Sequence, residues 1–439
     1  MSVFTLWLSK LRNSTLIFSL ACLIWTGSLI LPHFQPDRSI PYLLLSAFMF
    51  LILMHSINVV ESTRVLYAKR FLFTLGVFLF LEIVLILLAI FGIEKPYLLL
   101  SRLGSYSMFQ NGNLMLFGDL RHLTSVVNCS IDIEIGANVC DPWNRRFNQN
   151  PDIGELFRLL HLSNPIAVGV GSTLLFSFAV LLLLNDLKPN FRILYAIFLS
   201  PPLILALDRG NEVITISLIL LSIIFATRKS WRYCSLLLLG MASVFKFWPI
   251  VILVTWTLMT NAFSRLEKAL ICLLAFTYLT SHLDDLVAIT NETQVGDLNG
   301  GSFGIELLEF NSTFGLVSLI LIFVGAFSLK QIMRSQESVL LGLLRRNPML
   351  LALSISYLAL FVTGSHFNYR LIILIPIALI ISSNLNNIFV VNFILSMMIT
   401  SRLNIVSVTS AILAIYLAYI VVIYVFREVL PAYFTSIRS

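Results

Sequence analysis

The residues best suited to chemistry lie in short polar segments within a chain that is 58% hydrophobic and only 12% charged. The first is Gly-Asp-Leu-Arg-His at 118–122, followed at 140–148 by Cys-Asp-Pro-Trp-Asn-Arg-Arg-Phe-Asn. A carboxylate near a membrane surface can act as a general base on a sugar hydroxyl, so Asp119 is a candidate and Asp141 is its rival. The same region supplies three supporting candidates, Arg121, His122 and Arg145. The alternative interpretation is an ordinary solvated loop with an aromatic anchor.

A second polar segment, Asp-Arg-Gly-Asn-Glu, lies between two apolar stretches at 208–212. Ionisable residues at membrane depth are costly and are functional candidates by default. Asn211 and Glu212 are expected to begin the next helix, whose free N–H groups favour an anion. Arg209 can hold a phosphate by paired hydrogen bonds, with Asp208 and Asn211 as supporting candidates. The alternative is a polar interfacial turn with an internal contact between Asp208 and Arg209.

Two further basic residues stand in apolar surroundings. Lys246 is the single charged residue between Cys234 and Thr260, and the nearby Pro249 is expected to end a helix there. The lysine can serve as a phosphate ligand, or it can extend to the membrane interface. Arg370 directly precedes a late apolar segment and is a second candidate ligand, supported by Asn368.

The composition indicates which elements position these residues. Soluble domains carry about 25% charged residues, so a water-soluble fold of this composition would lack polar surface. Apolar runs near the roughly 20 residues that cross a bilayer recur along the chain. The sequence therefore predicts an all-α, polytopic membrane helix bundle of about 12–14 transmembrane helices, forming a single membrane domain over 1–439. The net charge of +7 is explained by membrane orientation, and we exclude nucleic acid as a partner.

The basic residues also predict the orientation. Placing the N-terminus in the cytoplasm puts the short loops rich in Lys and Arg inside, as the positive-inside rule expects. The C-terminus is then also cytoplasmic. A large extracytoplasmic loop with short helices is expected at 94–163, between the third and fourth helices, and a second outer loop at 282–312. The candidate residues all fall on the outer side.

The sequence favours neither a metal nor another cofactor. It contains no HExxH, CxxC or Walker-type segment. Asp119, Asp141 and His122 could bind a divalent ion, but their spacing specifies none. Cys129 and Cys140 share the large outer loop, where an oxidising compartment would allow a disulfide, and their spacing alone leaves the pairing open.

Five motifs, in their order along the chain, resemble those of the multi-spanning GT-C glycosyltransferases, above all the bacterial polyprenyl-phosphate-mannose-dependent mannosyltransferases. The motifs are Gly-Asp-Leu-Arg at 118–121, Cys-Asp-Pro-Trp-Asn-Arg at 140–145, Asp-Arg-Gly-Asn at 208–211, Lys-Phe-Trp-Pro at 246–249 and Asn-Tyr-Arg at 368–370. The resemblance implies an inverting transferase of the bacterial inner (plasma) membrane, acting on the periplasmic or extracellular face. It implies that Asp119 is the catalytic carboxylate and that the lipid phosphate is bound by three basic residues, Arg209, Lys246 and Arg370.

The implied substrates are a polyprenyl-phosphate sugar, with mannose or another hexose, and a glycan or glycolipid acceptor. Two other functions fit an outer-face cluster of cations. An O-antigen or polysaccharide polymerase or ligase would act on undecaprenyl-diphosphate glycans. A flippase or transporter for lipid-linked sugars would need polar residues through the helix centres, whereas here they gather on one side.

Overall fold

The structure is a computed structural model. It describes residues 117–129, 133, 135, 140, 147, 149–187, 201–292, 302–303, 320, 322–327, 330–331, 334, 337–363, 366–382, 394 and 406–431. The predicted helices before residue 94, the predicted chain termini, Asp141 and Arg145 lie outside these residues.

Helices make up nearly all of the described chain. The first five are α1 (Gly118–Ser125), α2 (Pro151–Leu159), α3 (Pro165–Leu187), α4 (Pro201–Arg209) and α5 (Asn211–Ala226). The next four are α6 (Arg232–Phe245), α7 (Pro249–Met259), α8 (Arg265–Ser281) and α9 (Leu283–Glu292). The last four are α10 (Glu337–Arg346), α11 (Pro348–Val362), α12 (Leu374–Ser382) and α13 (Val406–Tyr424).

Shorter elements join these helices. Four have helical hydrogen bonding of other types: the 3₁₀ turns Val126–Asn128 and Lys229–Trp231, the 3₁₀ helix Asn368–Ile373 and the π segment Val425–Val429. Two-residue strands, β1 (Ser302–Phe303) and β2 (His366–Phe367), pair antiparallel. The described residues are thus of the predicted all-α class, with this one small strand pair added.

Local sequence explains where several helices begin. Asn150 caps α2 by accepting a hydrogen bond from the Asp152 N–H, 3.1 Å away. Ser264 and Glu267 form a reciprocal capping box at the start of α8. Proline occupies the first position of α7, where a helix needs no N–H. The predicted break after Lys246 is therefore confirmed, because α6 ends at Phe245 and α7 starts at Pro249.

Two apolar cores hold the helices. The larger core lies within the bundle, where α5 packs on α3 and α6, α7 packs on α11, and α11 packs on α13. The smaller core lies under α1 and α2 and contains Leu120, Phe147 and Phe157. Ile214 and Phe245 pack against both cores. The junction between the cores therefore falls next to Glu212 and Lys246.

One described helix, Thr409–Val429, is long and apolar enough to cross a membrane by itself. The number rises to three if each of two bent helix pairs is one span. The pairs are Arg265–Ser281 with Leu283–Ile289, bent by 56°, and Glu337–Arg346 with Pro348–Val362, bent by 107°. The larger number of spans, about 12–14, stays a prediction.

The structure also has helices where the sequence predicts outer loops. Both α1 and α2 fall within 94–163, for which short helices are predicted. The predicted second loop at 282–312 opens with α9, which continues from α8 after one non-helical residue, His282.

Candidate functional site

An ion pair joins Asp119 and Arg209 at the start of α1, the helix that covers the smaller core. Asp119 lies in the first turn of α1, and Arg209 is the last residue of α4. The Arg209 guanidinium donates a hydrogen bond to Asp119 Oδ1 at 3.1 Å, and the Arg209 and Asp119 side chains are only 11% and 12% exposed. The helix dipole stabilises a negatively charged side chain near a helix N-terminus, as with Asp119, and a positively charged one near a helix C-terminus, as with Arg209. The alternative pairing of Arg209 with Asp208 stays untested, because the Asp208 side chain lies outside the described part of the structure.

The turn between α4 and α5 leads from Arg209 to a second carboxylate, Glu212. Gly210 has a φ of 86°, a left-handed conformation that side chains rarely adopt. A Cβ at this position would come within 3.2 Å of Leu120 and Phe117, so α1 packs closely on the turn. The chain then enters α5 at Asn211, as predicted, with Glu212 in its first turn.

Glu212 lies between two of the predicted phosphate ligands. Its side chain has no exposed surface, and its Oε1 is 3.7 Å from Lys246 Nζ and 3.8 Å from Arg370 Nε. Neither carboxylate oxygen has a hydrogen-bond partner among the described residues. A buried charge is costly unless it is paired, so the two cations stabilise Glu212 and Glu212 stabilises them.

Lys246 occupies the turn between α6 and α7, outside both helices. Its ammonium group donates a hydrogen bond to Gln149 Oε1 at 2.7 Å, and its side chain is 14% exposed. The lysine therefore contacts partly or fully buried groups of the protein. Burial lowers the pKa of Lys246, and the Glu212 carboxylate opposes that shift.

Arg370 reaches the cluster from the far end of the sequence. It lies in the 3₁₀ helix Asn368–Ile373, which packs against α4 and α5. Its side chain is 18% exposed. The structure thus places Arg209 beside Asp119, and Lys246 and Arg370 beside Glu212. The Asp119 carboxylate also favours the charged form of Lys246, which links the two groups of charges.

The supporting candidates differ in their placement. His122 is 1% exposed and stacks on Phe147 with ring centroids 5.5 Å apart, which makes it part of the smaller core. Arg121 is half-buried on α1, and burial lowers its pKa. For Asp208, Asn211 and Asn368 the structure describes the backbone alone.

Glu212 and Gln149 are absent from the residues predicted for the site. The sequence does carry a signal for Glu212, because an acid that opens the apolar run Asn211–Ala226 is costly without a local purpose. Gln149 carries no such signal. Its position follows from a contact that sequence does not reveal.

Asn150 fixes the segment that carries Gln149. Its amide nitrogen donates to the Val244 carbonyl at 2.7 Å and lies 2.6 Å from the Tyr278 hydroxyl. At the same junction, His282 lies 3.2 Å from Asp152 and 2.7 Å from Asp285. These contacts tie the start of α2 to α6, α8 and α9.

Cys129 and Cys140 form a disulfide, which settles the pairing that the sequence left open. Their Cα atoms are 5.9 Å apart, and the bridge closes a segment with a sequence separation of 11. Cys129 follows the 3₁₀ turn that extends α1, and its carbonyl accepts a hydrogen bond from Arg158 at 3.4 Å. The bridge therefore restrains the segment that follows Asp119.

Within the part of the chain that the structure describes, no group of three or more His, Cys, Asp or Glu side chains could hold a metal ion. The prediction of no metal and no cofactor stays a prediction. What the described site offers is a set of cations around two carboxylates, an arrangement suited to binding an anion.

Comparison with known proteins finds no match among protein-family models, curated proteins or solved structures.

Proposed function

We propose that the protein is a multi-pass membrane glycosyltransferase of the GT-C type that moves a sugar from a polyprenyl-phosphate donor to an acceptor on the extracytoplasmic face. The observation that carries this proposal is the placement of Arg209 beside Asp119 and of Lys246 and Arg370 beside Glu212, with Asp119 near enough to favour the charged form of Lys246. Buried cations from separate segments are a costly arrangement, and a phosphate that binds to them offsets part of that cost.

The charge balance favours a monophosphate donor. Among the described side chains of the cluster, three cations face two carboxylates, which gives these five side chains a formal net charge of +1. A polyprenyl-phosphate sugar is a phosphodiester with a single negative charge, whereas a diphosphate donor carries two. This supports the transferase over a polymerase or ligase that acts on undecaprenyl-diphosphate glycans.

In the proposed reaction Asp119 accepts the proton of the acceptor hydroxyl. The acceptor oxygen bonds to the anomeric carbon while the bond from that carbon to the phosphate oxygen breaks, with inversion. The lipid phosphate leaves with one additional negative charge, which the three cations stabilise. A guanidinium has five N–H donors, so Arg209 can retain its bond to Asp119 and also contact the phosphate.

Exposed apolar side chains support the multi-pass arrangement. On α8, Leu266, Leu274 and Phe276 are 71%, 69% and 65% exposed. On α13 and the π segment that follows it, Val422 and Phe426 are 51% and 64% exposed. Apolar surface of this kind is suited to lipid. We place both termini in the cytoplasm and the charged cluster on the outer side of the plasma membrane.

The test is transfer by the purified protein in lipid nanodiscs. Radiolabelled polyprenyl-phosphate mannose and other polyprenyl-phosphate hexoses are supplied with a membrane extract as the source of acceptor. Label should pass to the acceptor fraction, and Arg209→Gln, Lys246→Gln and Arg370→Gln should each reduce transfer by at least tenfold. Arg427→Gln, which breaks an ion pair with Glu337 away from the cluster, serves as the control.

Other outcomes point to the other functions. Transfer from undecaprenyl-diphosphate glycans alone would contradict the proposal and favour a polymerase or ligase. Movement of the labelled lipid between leaflets without any transfer would contradict it in favour of a flippase. Absence of transfer from every polyprenyl-phosphate sugar would also overturn it.

A further inference from the structure

Glu212 is too deeply buried to act on an acceptor. Its side chain has no exposed surface, and among the described residues its ion-pair partners are Lys246 at 3.7 Å and Arg370 at 3.8 Å. A general base must reach the proton that it removes, so this carboxylate is unsuited to that role. Its contacts are with the cations themselves.

We propose that Glu212 is a positioning residue that holds Lys246 in its protonated form and, with Arg370, keeps a phosphate-binding pair of cations in place. The inference rests on the proposed function. It states that the affinity of the enzyme's phosphate site depends on a buried anion, Glu212. It concerns phosphate binding and not the chemical step.

Lys246 is the cation of this cluster that can lose its charge. Guanidinium groups stay protonated in proteins, so Arg209 and Arg370 keep their charge at every relevant pH. Lysine changes its protonation readily when it is buried. A phosphate site that includes Lys246 therefore needs something to keep the proton on that residue.

The groups that face Lys246 come from four segments. Glu212 at the start of α5 and Asp119 on α1 favour the ammonium form, and Glu212 has the larger effect. Arg370 from the 3₁₀ helix opposes it, as burial does. Gln149, from the segment before α2, accepts a hydrogen bond and carries no charge.

Removing the charge of Glu212 should therefore make Lys246 lose its proton at a lower pH. Phosphate affinity in Glu212→Gln should fall first on the alkaline side and recover as the pH is lowered. Above the shifted midpoint, the contribution of Lys246 should decline by up to about tenfold per pH unit. An arginine at position 246 stays charged, so Lys246→Arg in the Glu212→Gln background should remove the shift.

The experiment measures binding of radiolabelled polyprenyl phosphate to the full-length protein in nanodiscs between pH 6 and pH 11, a range that includes the ordinary lysine pKa of about 10.4, with sugar transfer measured in parallel. The variants are wild type, Glu212→Gln, Lys246→Arg and the double variant. Glu337→Gln is a matched control, because Glu337 also lies 3.7 Å from a cation, Arg427, in a different part of the structure. We expect the alkaline limit of binding to move down by at least about one pH unit in Glu212→Gln alone.

Failure of this inference is distinguishable from failure of the proposed function. A Glu212→Gln binding profile equal to that of wild type overturns the inference while transfer by the wild type still stands. The inference is also overturned if Glu212→Gln loses binding at every pH and Lys246→Arg in the same protein does not restore it. Wild-type binding with the expected shift but no transfer from any donor sustains the inference and overturns the transferase. Absence of binding by the wild type overturns the inference itself.

Discussion

Arg209 donates a hydrogen bond to Asp119 at 3.1 Å across 90 residues of sequence. The bond links the first described helix to the turn that introduces Glu212, and it connects the proposed base to the proposed phosphate ligands. Since both side chains are nearly buried, each depends on the other for compensation of its charge. Two predictions follow from this pair.

The first concerns the proposed chemistry. Asp119→Asn should reduce transfer by at least about a hundredfold, because an amide cannot accept the acceptor's proton. Binding of polyprenyl phosphate should be largely retained, since asparagine can still accept a hydrogen bond from Arg209. Steady-state transfer and lipid binding check the two effects separately. Glu155→Gln, on an exposed carboxylate paired with Arg158, is the control, and full activity of Asp119→Asn would reject Asp119 as the base.

The second concerns stability and does not depend on any activity. Asp119→Asn and Arg209→Gln should each lower the free energy of unfolding, by about 2 kcal/mol, because each leaves a nearly buried charge without its partner. The double variant should lose less than the sum of the two. Thermal unfolding of the four proteins in detergent gives the coupling, which we expect to be about 1–2 kcal/mol. Strict additivity would mean that the pair is not formed.

A third prediction concerns the packing of α1 on α3. A methyl group at Gly169 would overlap the Phe117 ring, whereas one at Gly171 would meet nothing within 4 Å. Gly169→Ala should destabilise the protein by about 1–3 kcal/mol and displace the start of α1. Gly171→Ala should be neutral or stabilising by up to about 1 kcal/mol, as expected for a helix interior. Unfolding midpoints of the two variants provide the comparison, and equal midpoints would contradict this packing.

A fourth prediction uses the disulfide to establish which side of the membrane carries the cluster. In a variant lacking Cys22, Cys234 and Cys272, a membrane-impermeant maleimide should label intact cells only after an impermeant reductant has been added. Labelling without the reductant would exclude the bridge, and labelling that requires permeabilised cells would place the segment inside. Replacing Cys129 and Cys140 by serine should cost about 2–3 kcal/mol of stability, given the length of the closed segment.

Much of the candidate site could be predicted from sequence because charge in an apolar context is rare and costly. This cost points to Arg209, Lys246 and Arg370. The structure places the first beside Asp119 and the other two beside Glu212. Glu212 lies at the start of a helix, as predicted, but its contacts with Lys246 and Arg370 are not predictable, because both partners are distant in the chain. Contacts between distant segments leave no local pattern to detect.

His122 illustrates the opposite difficulty. Its position three residues after Asp119 suggests a shared site, yet its ring stacks on Phe147 inside the smaller core. The residues between Cys129 and Cys140 presented a similar problem, since spacing allowed the disulfide without requiring it. By contrast, Pro249 and Asn211 mark helix boundaries through local chemistry, and there the sequence prediction is confirmed.

The left-handed turn at Gly210 has a consequence for how this sequence can change. Arg209 ends one helix and Glu212 lies in the first turn of the next, so the three-residue step between them sets the spacing of the two charged side chains. Inserting or deleting one residue here would move Arg209 away from Asp119 or Glu212 away from Lys246 and Arg370, because contacts with other segments hold both ends of the turn. The length of this turn should therefore be invariant in any functional descendant of the chain, even where the identities of the surrounding apolar residues drift.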